Sequence, residues 1–305
     1  MMTPIMLVIT IIGLALFEIV SSIDNAIVNA EVLSTMQPKA QKWFLFWGLL
    51  FAVFIVRGLV PWIIVWVTSP ELGPIGALTA TFSSDPRVLA AIQLAAPILL
   101  LGGGVFLILL FLHWLFLEDK NVGLPHEEFF LEQGIWFYAI TSILLTVIVW
   151  FSIKVNPFMA FGAVVGSTIF FITHGFKQTA EAAEKELTKQ KHSDISKIFY
   201  LEMIDATFSI DGVFGAFAFT LSVPLIILGN GLGAFIVRQL TVSNVERIKS
   251  FIYLKNGAMY SILFLGMIMT LDAFGVNIPA WVSPLVMLIT VGWFFEKSRR
   301  HKNRK

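Results

Sequence analysis

Hydrophobic positions in this chain run in long blocks, and most polar residues lie between the blocks. Blocks of about 17 to 25 apolar residues let a helix cross a bilayer. An outer-membrane barrel would instead alternate apolar and polar positions over segments of about ten residues. The pattern therefore predicts an all-α polytopic transmembrane helical bundle of about nine spans, at 4–30, 43–67, 88–117, 135–153, 157–174, 198–221, 223–241, 252–271 and 280–296.

The few polar residues inside these blocks form a motif that occurs twice. E-I-V-S-S-I-D-N runs from Glu18 to Asn25, and D-A-T-F-S-I-D-G runs from Asp205 to Gly212. Both copies have the form acid, three residues, Ser-Ile-Asp, then Asn or Gly. Carboxylates at membrane depth are costly and normally face a bundle interior or a wet path.

A second pair of segments extends the repeat. Gly48 to Leu59 and Gly229 to Leu240 both place Arg nine residues after Gly and share F-I-V-R-x-L. Chance similarity between apolar helices would explain F-I-V, but not the acidic motif with a matching Arg span after each copy. The acidic motifs lie in the first and sixth spans, which cross in opposite directions, so we predict an inverted-topology internal repeat.

The repeat suggests a division of the chain into four parts. We expect a first repeat half at 1–117, connecting spans and a cytoplasmic loop at 118–197, a second half at 198–279, and a last span with a basic tail at 280–305. Within the connecting part, 175–197 is rich in Ala, Glu and Lys, which favours a short solvated helix. The loop at 68–87 is expected to cap the outer face.

Lys and Arg residues are sorted to one side of the predicted spans. The opposite side holds only Arg87 and Lys154. The positive-inside rule then places the N-terminus outside and the C-terminus in the cytoplasm of an inner or plasma membrane. We interpret the N-terminus as the first span rather than as a removed signal peptide. The cytoplasmic set comprises Lys39, Lys42, Lys120, Lys177, Lys185, Lys189, Lys191, Lys197, Arg238, Arg247, Lys249, Lys255, Lys297, Arg299, Arg300, Lys302, Arg304 and Lys305.

The acidic motifs have the spacing of a cation site. Glu18, Ser22, Asn25 and Asn29 share one helical stripe, and Asp24 lies about 120° away. The second motif repeats this with Asp205 and Ser209 on the stripe and Asp211 offset, while Gly212 and Gly215 would ease a local break and close helix approach. Oxygen ligands of this kind favour hard divalent cations.

Further residues could join or oppose such a site. Asn230, beside Gly229, could be a ligand or could bond to a neighbouring helix. Arg57 and Arg238 could pair with the carboxylates in structural salt bridges, although snorkelling is the default for Arg238 near the cytoplasmic edge. A proton relay without metal is another interpretation. Glu202, one turn from that edge, is expected to be solvated.

Composition limits the remaining classes of function. Hydrophobic residues make up 57% and charged residues 13%, against about half and a quarter in soluble domains, which indicates an integral membrane protein. The absence of cysteine excludes disulfides and thiolate metal sites. The sequence has no H-E-x-x-H and no G-x-S-x-G motif, and we expect no enzymatic activity. Peptide hydrolysis by paired intramembrane aspartates is the residual enzymatic alternative.

The two motifs resemble signatures of a known membrane protein family. E-I-V-S-S-I-D-N-A is similar to the first-helix signature of the TerC (tellurium-resistance protein C) family, and the Trp47-Gly48 to Arg57 segment resembles its second span. The stretch from Asp205 to Gly212, continuing through Thr220, Pro224, Asn230 and Arg238, resembles the second signature. Gly212 stands where the family usually has Ser, and Phe214-Gly215 replaces an Ile-Pro step, which indicates a divergent subgroup.

The resemblance implies an exporter. The TerC family is grouped with the LysE-type exporters and associated with manganese efflux and, by name, tellurite resistance. Carried over residue by residue, it implies a substrate path through Glu18, Asp24, Asn25, Asp205, Asp211 and Asn230, supported by Ser22, Ser209, Asn29, Arg57 and Arg238.

We therefore expect an exporter of a divalent cation, manganese first, without a further cofactor. Its partners would be the metal ion and the lipid bilayer, with no nucleic acid, and a homo-oligomer is compatible with the sequence. The alternative is a membrane scaffold of a stress-response or secretion complex, recruiting partners through 175–197 and the basic tail.

Overall fold

The computed structural model describes residues 4–22, 29–30, 32–79, 86–187, 193–243 and 250–303, and these contain no β-strand. The all-α class predicted from the sequence is confirmed. The helices are α1 (Pro4–Ser21), α2 (Pro38–Val67), α3 (Gly73–Thr79), α4 (Pro86–Leu117), α5 (Pro125–Glu132), α6 (Trp136–Val155), α7 (Pro157–Leu187), α8 (Asp194–Ala216), α9 (Val223–Ser243), α10 (Leu254–Ala273) and α11 (Val282–Lys302).

Six stretches of helix in the described residues are long and apolar enough to cross a membrane. They lie at Pro4–Ser21, Pro38–Val67, Gln93–Leu117, Trp136–Val155, Pro157–Phe176 and Leu254–Ala273, with a shorter apolar stretch at Val223–Gln239. This makes the protein a multi-pass membrane protein. The predicted spans at 198–221 and 280–296 correspond to α8 and α11, whose sequences carry several charged residues.

Helix α4 forms the centre of the bundle, with Phe106 and Trp114 fully buried. Its three consecutive glycines let neighbouring helices approach closely, as small residues do in membrane bundles. A Cβ on Gly102 would lie 2.8 Å from the Gly162 carbonyl of α7, and one on Gly104 would lie 2.9 Å from the Gly266 carbonyl of α10. The main hydrophobic core surrounds this helix.

The equivalent helices of the repeat run antiparallel. Along α1, Glu18 contacts Gly212 within α8, and Gly13 contacts Phe219, three residues past the end of α8, so α8 runs in the opposite direction. Along α2, Phe44 accepts a hydrogen bond from Arg238 and Gly58 contacts Ile227, so α9 is also reversed. Antiparallel equivalents are the arrangement that an inverted repeat requires.

Helix α2 contains two π-helical stretches, at Phe44–Gly48 and Ala52–Leu59. Pro61 follows the second one and cannot donate an N–H to the helix, which frees a carbonyl in the preceding turn. Such widened turns occur frequently at functional sites. The second stretch carries Arg57, whose Nη1 donates to the Ala52 carbonyl at 3.3 Å.

Two local predictions need correction. The helix predicted within 175–197 is present as far as Leu187, but it is the end of the long helix α7 from Pro157 rather than a short helix. The glycines of the second motif do not break α8, which is helical from Asp194 through Ala216. The loop at 68–87 contains a 3₁₀ turn at Pro70–Leu72 and α3, and Trp62 Nε1 donates to the Pro74 carbonyl at 2.7 Å.

Candidate functional site

The first acidic motif places a fully buried carboxylate at the centre of the repeat. Glu18 has no exposed surface, and its Oε1 accepts from Arg57 Nη2 at 2.5 Å and from Ser22 Oγ at 2.6 Å. The other oxygen, Oε2, has no hydrogen-bond partner among the described residues. Arg57 is equally buried, at 2% exposure, so the pair lies away from water on both sides.

Glycines of two other helices enclose Glu18. A Cβ on Gly212 of α8 would lie 2.9 Å from Oε2, and a Cβ on Gly233 of α9 would lie 2.6 Å from the Glu18 Cβ. The unpartnered oxygen therefore faces the backbone of the second acidic motif. The predicted close approach at Gly212 is confirmed, and α1, α8 and α9 meet at this point.

Asn230 adds a second unpartnered oxygen at the same place. Its side chain is fully buried, and Nδ2 donates to the Gly212 carbonyl at 3.4 Å. Its Oδ1 has no partner in the described part of the chain. Glu18 and Asn230 thus both contact Gly212, and Asp211, half-buried, precedes that glycine in the chain. The result is a small group of buried acceptor oxygens.

The second copy of the repeat also pairs its acid with an arginine. Asp205 Oδ2 accepts from Arg238 Nη2 at 3.4 Å, and Glu202 Oε1 lies 3.8 Å from the same nitrogen. Arg238 also donates through Nη1 to the Phe44 carbonyl at 2.6 Å and lies over the Phe44 ring, 4.3 Å from its centroid. Snorkelling of Arg238 is therefore wrong, because the residue is only 8% exposed.

The two ion pairs are related by the repeat in the sequence. Glu18 corresponds to Asp205, and Arg57 corresponds to Arg238. In each half, the first acid of the motif pairs with the arginine of the following apolar helix. The repeat is thus visible in three dimensions as two buried ion pairs near the interface of its halves.

The other predicted site residues divide into two groups. Asp24 and Asn25 lie outside the described residues. Asn29 is buried with its Oδ1 unpartnered among the described residues, while Ser209 Oγ donates to the Asp205 carbonyl at 2.5 Å. The residues that the structure describes contain no group of three or more His, Cys, Asp or Glu side chains placed to hold a metal ion.

Sequence reasoning missed the burial of Glu202 beside the second ion pair. Expected to be solvated, its side chain is only 13% exposed, and neither carboxylate oxygen has a hydrogen-bond partner in the described residues. It borders an apolar cavity of about 500 Å³ between α2 and α8, lined also by Trp43, Trp47 and Phe199. Its position one helical turn before Asp205, on the same face, was the available signal.

A family model matches most of the chain. The model is described as a protein of unknown function (DUF475), and it matches residues 23–305. No curated protein and no solved structure matches the chain. The matched range contains α2 through α11 and the second acidic motif, and it begins within the Ser-Ile-Asp of the first motif.

Proposed function

Because the chain belongs to the DUF475 family, whose description assigns no activity, we propose from its site that it exports a divalent metal cation, with manganese as the first candidate. The observation that carries this proposal is a pair of buried oxygens at Gly212, Glu18 Oε2 and Asn230 Oδ1, that have no hydrogen-bond partner among the described residues. A buried acceptor without a donor costs about 1–3 kcal/mol. Carboxylate and amide oxygens are ligands of hard divalent cations, so a cation would offset that cost.

The ion pairs indicate different roles for the first and second acid of each motif. Arg57 balances the charge of Glu18, and Arg238 balances that of Asp205. On this proposal, these pairs hold the helices in register, and the second acid of each motif supplies the negative charge for the ion. The ligand set would then be Asp24, Asn25 and Asp211 together with Glu18 Oε2 and Asn230 Oδ1.

The identity of the metal and the direction of transport rest on the resemblance to the TerC family and its LysE-type relatives. This resemblance is more specific than the match to the DUF475 family, which assigns no activity. Members of the TerC family are associated with manganese efflux. The antiparallel equivalents α1/α8 and α2/α9 fit alternating access by rocking of one half against the other. The ion would then be reached from one side of the membrane at a time.

The test is total cellular manganese in a manganese-sensitive bacterial host, measured by elemental mass spectrometry at equal expression. The strains carry an empty vector, the wild type, or an Asp24→Asn plus Asp211→Asn variant. The matched control is Asp119→Asn plus Asp272→Asn, which also removes two negative charges, but outside the site. We expect the wild type and the control to lower manganese, and the site variant to leave it at the empty-vector level.

Other outcomes are equally informative. If the site variant lowers manganese as well as the wild type does, the motif carboxylates are structural and the proposed ion site is wrong. If no strain changes manganese, calcium, iron or zinc, export is wrong for this chain.

The alternative is a membrane scaffold that recruits partners without transport. The ion pairing of Glu18 and Asp205 favours it, because both acids already have a structural use. The scaffold would tolerate Asn at Asp24 and Asp211 but would lose its complex when 175–197 is deleted. Pull-down of partners by these two variants separates the proposals.

A further inference from the structure

A cavity of about 340 Å³ lies at the basic end of α11. Its walls are formed by Tyr253, which precedes α10, and by one face of the last turns of α11. The lining residues are Tyr253, Trp293, Glu296, Lys297, Arg300 and His301. It is separate from the ion pairs of the repeat and has no part in the proposed transport path.

The cavity is built from fixed aromatic and basic groups. Lys297 Nζ donates to the Gly123 carbonyl and lies 5.1 Å from the Trp293 ring centroid and 5.5 Å from that of Tyr253. The His301 ring packs edge-on against Tyr253 at 5.7 Å. The Tyr253 backbone N–H donates to Ser298 Oγ at 2.9 Å, which attaches the start of α10 to α11.

Basic donors outnumber the acid in this cavity. Lys297, Arg300 and His301 line it together with Glu296, whose Oε1 accepts from Arg300 Nε at 3.0 Å. The Arg300 side chain is 74% exposed, so its guanidinium can reorient toward a ligand at little cost. Such a cavity favours an anion, and guanidinium groups bind phosphate oxygens in pairs.

The neighbourhood of the cavity indicates where that phosphate comes from. Trp293 and Phe295 are 52% and 41% exposed on the same helix, just before its basic turns. Tyr253 directly precedes α10, one of the stretches long and apolar enough to cross a membrane, and Trp and Tyr side chains are enriched at membrane–water interfaces. Basic pockets beside membrane-spanning helices bind anionic lipid headgroups. We infer that this cavity binds the phosphate of an anionic phospholipid, with the glycerol backbone against Trp293.

The experiment is native mass spectrometry of the full chain in detergent, titrated with phosphatidylglycerol or phosphatidylcholine. Arg300→Gln is the test variant, and Arg299→Gln is its matched control. Both residues pair with Glu296 and both are exposed, but only Arg300 lines the cavity. We expect the wild type to prefer phosphatidylglycerol and Arg300→Gln to weaken that binding about fivefold, with Arg299→Gln near the wild type.

A further variant changes the affinity in the opposite direction. Glu296→Gln removes the one carboxylate among the described residues that line the cavity, and it should tighten phosphatidylglycerol binding severalfold. Equal loss in Arg299→Gln and Arg300→Gln would show diffuse attraction to the basic tail and overturn the inference. Displacement of the lipid by an equal concentration of glycerol 1-phosphate would overturn the lipid source, because a soluble phosphate would then suffice.

Discussion

At the residue scale, Glu18 and Arg57 form a buried ion pair whose partners depend on each other. Removing one partner of such a pair leaves an uncompensated charge and costs about 3–5 kcal/mol. We expect Arg57→Gln to lower the free energy of unfolding by about that amount. The Glu18→Gln plus Arg57→Gln double variant should recover most of the loss, because it removes both charges from the site.

Thermal unfolding in detergent measures this difference. Arg299→Gln, exposed at the end of α11, is the control and should leave the melting temperature near that of the wild type. A double variant no more stable than Arg57→Gln would mean that packing of the two side chains, rather than their charge, stabilises this part of the bundle.

Asn230 allows a prediction that separates stability from function. Its Oδ1 is buried without a partner in the described residues, and its Nδ2 donates to the Gly212 carbonyl over a long distance of 3.4 Å. An unsatisfied buried amide oxygen carries a desolvation cost of about 1–3 kcal/mol, and an apolar side chain of similar shape removes that cost. We expect Asn230→Leu to keep or raise the melting temperature while it abolishes the lowering of cellular manganese. Retained manganese export in a folded Asn230→Leu protein would remove Asn230 from the ion site.

At the element scale, α1 and α9 are in contact through glycine. A Cβ on Gly233 would lie 2.5 Å from the Ala15 carbonyl, which is backbone and cannot move without shifting α1. We expect Gly233→Ala to cost about 1–3 kcal/mol, as overpacking of a tight interface does. Gly175→Ala in α7 is the control, since a Cβ there meets no atom within 4 Å. Equal melting temperatures for the two variants would mean that α1 and α9 can separate without loss.

Much of this arrangement could be predicted from the sequence, and the limits have a physical reason. Apolar block length predicts the six stretches of the described residues that could cross a membrane, although the predicted spans at 198–221 and 280–296 are not among them. The repeat predicts antiparallel α1 and α8. It did not predict the burial of Glu202, because the equivalent position in the first half is Ala15, which carries no charge. Nor could it predict that His113 and His174 lie with ring centroids 3.7 Å apart, since that depends on how α4 and α7 rotate against each other.

At the scale of the whole molecule, the sorting of Lys and Arg predicts an N-terminus outside and a C-terminus in the cytoplasm. The chain has no cysteine, so a single introduced cysteine reports one position without any background. Glu71, Glu128 and Asn303 are exposed and lie in the 68–87 loop, in α5 and after α11. We expect a membrane-impermeant maleimide to label Glu71→Cys in intact cells, and to label Glu128→Cys and Asn303→Cys only after permeabilisation.

The reverse labelling pattern would mean that the N-terminus is cytoplasmic. If the ion still entered the site from the same end of the bundle, the proposed transport would then carry it inward. Seven of the predicted spans lie between Glu71 and Asn303, so labelling of Glu71→Cys and Asn303→Cys from the same side would contradict that number.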